Sequence, residues 1–141
     1  MTLLPGDGIG SEITKATAAV LEKLAELTEG LSFEFEPALT GGAALDTGGD
    51  PFPKATLASC QRSDAVLLAC IGGPAWDHNP HDYLRPETGL LAMRKGLGLI
   101  ANLRPAKVLP QLVDASTLKR EVVEGVSLVT RIASRIYTSS R

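Results

Sequence analysis

Apolar positions along the chain recur at two spacings, one suited to strands and one to helices, and the two take turns. Thr2 to Pro5 is a short, mostly apolar run that ends in the turn "GDGIG", the pattern of a strand entering a glycine turn. Between Ser11 and Glu29, Ile13, Ala16, Val20, Leu24 and Leu27 recur every three or four residues, which predicts a helix. Gly30 ends it, and "LSFEFEPAL" then alternates with period two, as a half-buried strand does. "TGGAALDTGGDPFP" is rich in glycine and proline and reads as a loop with room for one short turn of helix. Pro53 opens a second helix running to about Arg62. "DAVLLACIGG" is apolar from Ala65 through Ile71, which predicts a parallel strand buried on both faces. A loop through "PAWDHNPHDYLRPE" leads to a third helix over about Thr88 to Lys95. "LIANLRPAKVLP" is extended around Pro105, "STLKREVV" predicts a short helix, and "VSLVTRI" a further strand. Strands and helices alternate throughout, so the fold class is α/β with a largely parallel sheet.

Composition narrows the function more than the fold. With 44% apolar and 21% charged residues, the chain is expected to be ordered and globular. A formal charge of -2 gives no electrostatic reason to expect nucleic acid or an anionic membrane as partner. The longest apolar run, "AVLLACIGG", is too short to span a bilayer. No charged-then-apolar leader stands before the first strand, and so close to Gly6 a loss of upstream sequence stays open. Cys60 and Cys70 have no further ligands beside them and read as free thiols in a reducing compartment. His78 and His81 form H-x-x-H in a proline-bearing loop without a third ligand, and read as solvated, with Trp76 and Tyr83 packing beneath.

Three places carry candidate chemistry. The glycines of the first turn, Gly6, Gly8 and Gly10, are not spaced as G-x-G-x-x-G, and Asp7 between them would repel a pyrophosphate. That weighs against a dinucleotide cradle and leaves a plain turn, or a turn whose backbone touches a ligand. On a helix, Glu87, Leu90, Leu91 and Arg94 share one face. That face is either a core stripe with snorkelling ends or a pocket, with leucines for an alkyl branch and arginine for a carboxylate. Arg104, held extended before Pro105, and Arg131 add two planar forks, each able to clamp a carboxylate if the arginines converge.

The blocks "LLPGDGIGSEI", "GGAALD", "DAVLLACIGGPAWD", "RPETGLLAMRKGLGLIANLRP" and "DASTLKREVVEGVSLV" resemble the opening of the 3-isopropylmalate dehydrogenases, β-decarboxylating enzymes of leucine biosynthesis. The likeness runs from Leu3 to about Arg131, and "NLRPAKVLPQLVDASTLKREV" is most similar to plant and algal plastid forms. The resemblance implies a partial isocitrate/isopropylmalate dehydrogenase fold, which is not a Rossmann fold. Residues 1–100 would supply part of a first α/β domain, and 101–141 would open a second, with an atypical tail from about 132. It implies NAD-dependent oxidation and decarboxylation of 3-isopropylmalate with magnesium or manganese, in a homodimer. The location would be the plastid stroma if the plant likeness holds, and otherwise the cytoplasm. Arg94, Arg104 and Arg131 would hold the malate carboxylates, while Leu90 and Leu91 would receive the isopropyl group. Ile9 would touch the nicotinamide-side ribose, and the loop from Gly73 through Asp77 to Glu87 would border the cofactor.

The same resemblance marks what this chain is expected to lack. The family's catalytic lysine, metal-holding aspartates and adenosine-binding loop lie beyond its last matching block, so the metal has no expected ligand here. The tail "RIASRIYTSSR" is one residue short of the family spacing between Arg131 and Tyr137, and a Gly-Gly pair is missing. Tyr137 matches the catalytic tyrosine by its Ile-Tyr pair alone, and Arg135 brings charge where the family has glycine. The chain is therefore expected to be a truncated product, inactive by itself. An isocitrate- or tartrate-type enzyme is the alternative within the class, disfavoured because a third carboxylate or a hydroxyl would face two leucines unpaired. A non-catalytic fragment is the alternative outside it.

Overall fold

A computed structural model of the chain describes residues 1–78 and 85–133, with backbone alone for 131–133. His81, Tyr83, Arg135 and Tyr137 lie outside the described residues. The structure divides into two compact units, Met1–Gly98 and Leu99–Arg141.

The first unit opens with β1 (Thr2–Gly6), which enters α1 (Gly10–Leu27) through the glycine turn. After β2 (Glu36–Pro37) come α2 (Gly42–Gly48) and α3 (Lys54–Arg62), then β3 (Val66–Cys70). A 3-10 turn (Pro74–Trp76) follows β3, and α4 (Pro86–Gly96) is the next described helix. The sheet has the order β2-β1-β3 and is parallel throughout, with Thr2 opposite both Glu36 and Val66. Leu4 of β1 is fully buried and packs with Phe52, Cys60 of α3 and Met93 of α4. Thr2, also fully buried, joins β1 to the end of α3 through hydroxyl contacts with Ser59 at 3.0 Å and Ser63 at 2.7 Å.

Three details depart from the sequence pattern. The "LSFEFEPAL" strand pairs with β1 only at Glu36 and Pro37, with the Glu36 N–H donating to the Met1 carbonyl and the Met1 amino group to the Glu34 carbonyl. Strand pairing needs a partner backbone as well as an alternating pattern. β3 is half-buried at every position, where its unbroken apolar run predicts full burial. Among the described residues it is an edge, with β1 on one side and no strand on the other. The apolar stripe of α1 is likewise outward: Val20 is 67% exposed and Leu27 75%, while Gly10 and Thr14 are the buried residues. Small residues let the helix approach β1 and β3 closely, so the bulkier face is left toward solvent.

The second unit is an antiparallel pair. β4 (Ala101–Lys107) runs against β5 (Ser127–Ala133), joined through a 3-10 segment (Pro110–Ala115) and the four-residue α5 (Arg120–Val123). Val113 and Val123 are buried there, while Leu103, Leu128 and Val129 are more than half exposed. No helix of the described residues is long and apolar enough to cross a membrane.

Both cysteines are free, Cys60 buried and Cys70 half-buried. Burial raises the Cys60 thiol above its ordinary value, its own backbone hydrogen bond offsets part of this, and the Glu36 carboxylate adds to the rise. The sign follows directly: the folded state favours the neutral thiol, so this contribution is fully present below the unfolded thiol value and is lost as pH rises through the folded one. Thiol labelling at rising pH should modify Cys70 at least about tenfold faster than Cys60, and denaturant should erase the difference. Equal rates in the folded chain would contradict the burial of Cys60.

Hydrogen exchange should report the open edge. The isolated chain is expected to show weak protection across Val66–Cys70, since few apolar contacts cover that strand on its free side. Protection there worth several kcal/mol would show that three strands and their helices suffice for a stable domain.

Candidate functional site

The carboxyl ends of β1 and β3 meet at the glycine turn, where open parallel sheets place their ligand crevices. Gly6 pairs with Cys70 across the ladder, and a side chain on Gly6 would collide with the Cys70 carbonyl. Its φ of 65° is also in the region that glycine alone enters without strain. Gly10, at the first turn of α1, would drive any side chain into the Pro5 carbonyl. The turn is thus so tight that two of its three glycines are required by backbone contacts rather than by a ligand. Ile9 at its apex is 60% exposed, a large apolar side chain that the fold itself does not cover.

Asp7 has an unexpected place. It is 4% exposed, and its carboxylate accepts three backbone N–H bonds. Oδ2 takes Gly42 N at 2.9 Å and Gly72 N at 2.8 Å, and Oδ1 takes Ala43 N at 2.9 Å. The first two N–H groups of α2, which the helix cannot pair internally, thereby find an acceptor of favourable charge. This is why a helix of seven residues forms where the sequence offers mainly loop signals. Beyond Gly72 the chain folds back over α2. Trp76 lies against Gly42 so closely that any side chain there would overlap the indole, and its Nε1 donates to Asp46 Oδ1 at 3.1 Å.

α4 approaches the same loop. Its N-terminal Pro86 is buried, as are Gly89 and Met93, so the face turned to the core is 86, 89 and 93. Gly89 sits against the Pro51 carbonyl, which fixes how close the helix lies. Glu87 is exposed, with its Oε1 against Gly72, so two positions on opposite sides of the intervening loop come together. Leu90 packs in part against the core cluster, whereas Leu91 is 43% exposed. The two leucines therefore split, one mainly structural and one outward. Arg94 is half-buried one turn further on.

In the second unit Arg104 is exposed on β4 and stands opposite Thr130. Arg131 is the next residue of β5, opposite Leu103, so the backbones of the two arginine positions are neighbours in one ladder. A further cavity among the described residues lies elsewhere. A groove of about 640 Å³ lies at the amino end of β1, lined by Met1, Phe33, Phe35, Arg62 and Asp64 among others. It is the space between the two segments flanking β1 beyond Thr2, at the wrong end of the sheet for an α/β ligand crevice. Among the described residues no cluster of three or more His, Cys, Asp or Glu could hold a metal ion.

Residues 1–134 match the isocitrate/isopropylmalate dehydrogenase family. The chain belongs to that family. A 3-isopropylmalate dehydrogenase of Synechococcus elongatus is 62% identical over 139 residues, covering 97% of this chain and 38% of the relative. A chloroplastic 3-isopropylmalate dehydrogenase of Brassica napus is 58% identical, covering 97% of this chain and 34% of its own length. Among solved structures, isocitrate dehydrogenase from Methylococcus capsulatus is 29% identical with a TM-score of 0.61, over 92% of this chain and 33% of that one. The chain thus spans little more than a third of the curated relatives it matches.

Ile9 follows β1 and Gly73 follows β3 at the carboxyl end of the sheet, Glu87 has its Oε1 against Gly72, and Asp77 is exposed at the end of the 3-10 turn. Asp7 was legible in the sequence only as an obstacle to phosphate. The signal that could have revealed its role is an acidic residue enclosed by glycines at the end of a buried strand. A Gly42→Ala substitution should displace Trp76, the chain's one tryptophan, and shift its fluorescence to longer wavelength. Stability should fall by about 1–3 kcal/mol, as overpacking does. An unshifted spectrum would mean that the Trp76 loop does not rest on α2.

Proposed function

We propose that this chain is the amino-terminal part of a 3-isopropylmalate dehydrogenase, an enzyme that oxidises and decarboxylates 3-isopropylmalate with NAD. The observation that carries this reading is the 62% identity, over 97% of the chain, to the Synechococcus elongatus enzyme of that name. In this reading residues 1–100 belong to a first domain and 101–141 begin a second. Arg94, Arg104 and Arg131 bind the substrate carboxylates, since planar guanidinium groups match both oxygens of such a group. Leu91, outward on α4, contacts the alkyl branch, and Leu90 supports it from the core side. Ile9 and Gly73 contact the nicotinamide half of the cofactor, with Asp77 and Glu87 at its border.

A divalent magnesium or manganese ion supplies, when bound, the positive charge that decarboxylation requires on the developing enolate. In this proposal the ligands of that ion and the adenosine pocket belong to a longer protein, as this chain spans little more than a third of its curated relatives. Tyr137, the catalytic candidate, lies outside the described residues. The working enzyme is a homodimer in this proposal. Its location is the plastid stroma, supported by the 58% identity to a chloroplastic relative, or the cytoplasm of a cyanobacterium-like cell.

The isocitrate-type alternative is favoured by one observation, the structural likeness to the Methylococcus capsulatus enzyme, at 29% identity. The exposed Leu91 opposes it, because a further carboxylate would face an isobutyl group without a donor.

The test is a fusion of residues 1–131 to the matching remainder of the Synechococcus elongatus relative. It should form NADH with 3-isopropylmalate and not with isocitrate, while the 141-residue chain alone should form none. Replacing Arg104 by Lys in the fusion keeps charge but removes the planar fork. It should lower kcat/KM by roughly thirty- to a few hundred-fold, or about 2–3 kcal/mol, with the melting temperature unchanged. Arg62, whose ion pair with Glu36 at 3.1 Å is solvent-exposed, serves as control and should tolerate Lys. Wild-type kinetics in Arg104→Lys would remove that residue from the substrate site, and joint loss of rate and melting temperature would make it structural.

A further inference from the structure

We infer that Asp7 is a positioning residue whose buried carboxylate locks the glycine turn, α2 and the Gly72–Gly73 loop into one unit and so presents Ile9 and Gly73 together to the nicotinamide half of the cofactor. The inference rests on the reading of those two residues as cofactor contacts. What it adds is the means by which residues on separate loops are held in register.

The geometry is unusually complete for a single side chain. Beyond the three N–H groups on its carboxylate, the Asp7 backbone N–H donates to Cys70 O at 2.9 Å, and its carbonyl accepts from Gly10 N at 2.9 Å. One residue therefore bonds the end of β3, the start of α1, the start of α2 and the loop after β3. The partners lie 35, 36 and 65 positions away along the chain, so the side chain ties together segments that whole helices and strands separate in sequence. Among the described residues no basic side chain is one of its hydrogen-bond partners. At 4% exposure the carboxylate is satisfied by three backbone N–H groups, which ties its burial to the conformation of all three donors. Gly41, with a φ of 70°, leaves room for Oδ2 at the entry to α2, where any side chain would meet it. A side chain on Gly72 would collide with Glu87 Oε1, so glycine is required where the loop passes between the buried Asp7 and the exposed Glu87. A shift of the carboxylate would move both Gly72 and the turn that carries Ile9.

Residue chemistry gives a graded test. Asn at this position retains one acceptor oxygen, which can serve Gly42 and Gly72, but turns an NH2 donor toward the Ala43 N–H. Ala removes all three acceptor contacts. In the full 141-residue chain, amide exchange by NMR is measured for wild type, Asp7→Asn and Asp7→Ala. Titration with reduced nicotinamide mononucleotide is followed at the Ile9 and Gly73 amides. Asp7→Asn should accelerate exchange at Ala43 by about thirtyfold while Leu4 and Leu68 change little. Asp7→Ala should extend the acceleration to Gly42 and Gly72. The mononucleotide should shift Ile9 and Gly73 in wild type and bind about tenfold more weakly to Asp7→Asn, as a loss of preorganisation does.

Uniform acceleration through β1 and β3 would make Asp7 a general stabiliser and overturn the inference. Selective loosening with unchanged mononucleotide affinity would also overturn it, leaving the cofactor reading intact. If wild type shows protected Gly42, Ala43 and Gly72 amides but no shift at Ile9 or Gly73, the cofactor reading itself fails. That result comes from the unsubstituted chain, so the two failures cannot be confused.

Discussion

A carboxylate taken out of water has to be repaid in hydrogen bonds, and Asp7 meets that demand with three backbone donors. Much else in the first unit follows from where those donors must stand. α2 starts where its first N–H groups can reach the charge, and Gly72 turns inward to bring the third. Gly6 must let β1 pass against the Cys70 carbonyl for the side chain to arrive at all. Gly6 and Gly10 are therefore clearances for two crowded carbonyls, Gly41 for the buried carboxylate and Gly42 for the Trp76 indole, while Gly8 supplies a positive φ in open space. A nucleotide phosphate is not needed to explain them.

The second constraint is an unfinished sheet. β3 carries an apolar sequence suited to burial on both faces, yet β1 is its one strand neighbour among the described residues. The outward stripe of α1 and the exposed leucines and valines of the β4–β5 pair have the same character. Thr14, buried on α1 with an unpartnered hydroxyl beside a cavity of about 150 Å³ against β3, marks the same face. Relatives at 62% identity are matched over only 38% of their length, and a longer polypeptide offers the surfaces that such faces require. The local structure of this chain is thus that of a family member, while its burial is not yet that of a finished domain.

What could be read from residues alone was local. Period fixes helix or strand, glycine and proline mark their ends, and these carried the α/β class and the starts of α1, α3 and α4 to within a few residues. The family blocks also named site residues by position, from Ile9 to Arg131. Tertiary structure decided what depends on partners distant in sequence. It confined strand pairing within "LSFEFEPAL" to Glu36 and Pro37, built α2 on the Asp7 carboxylate, and turned the stripe of α1 to solvent. It also separated Leu90 from Leu91, which the helical period had placed on one face. The physical reason is the same in each case. Periodicity records which face of an element is apolar, but burial and hydrogen bonding are settled by what packs against that face, and those contacts come from residues far away along the chain.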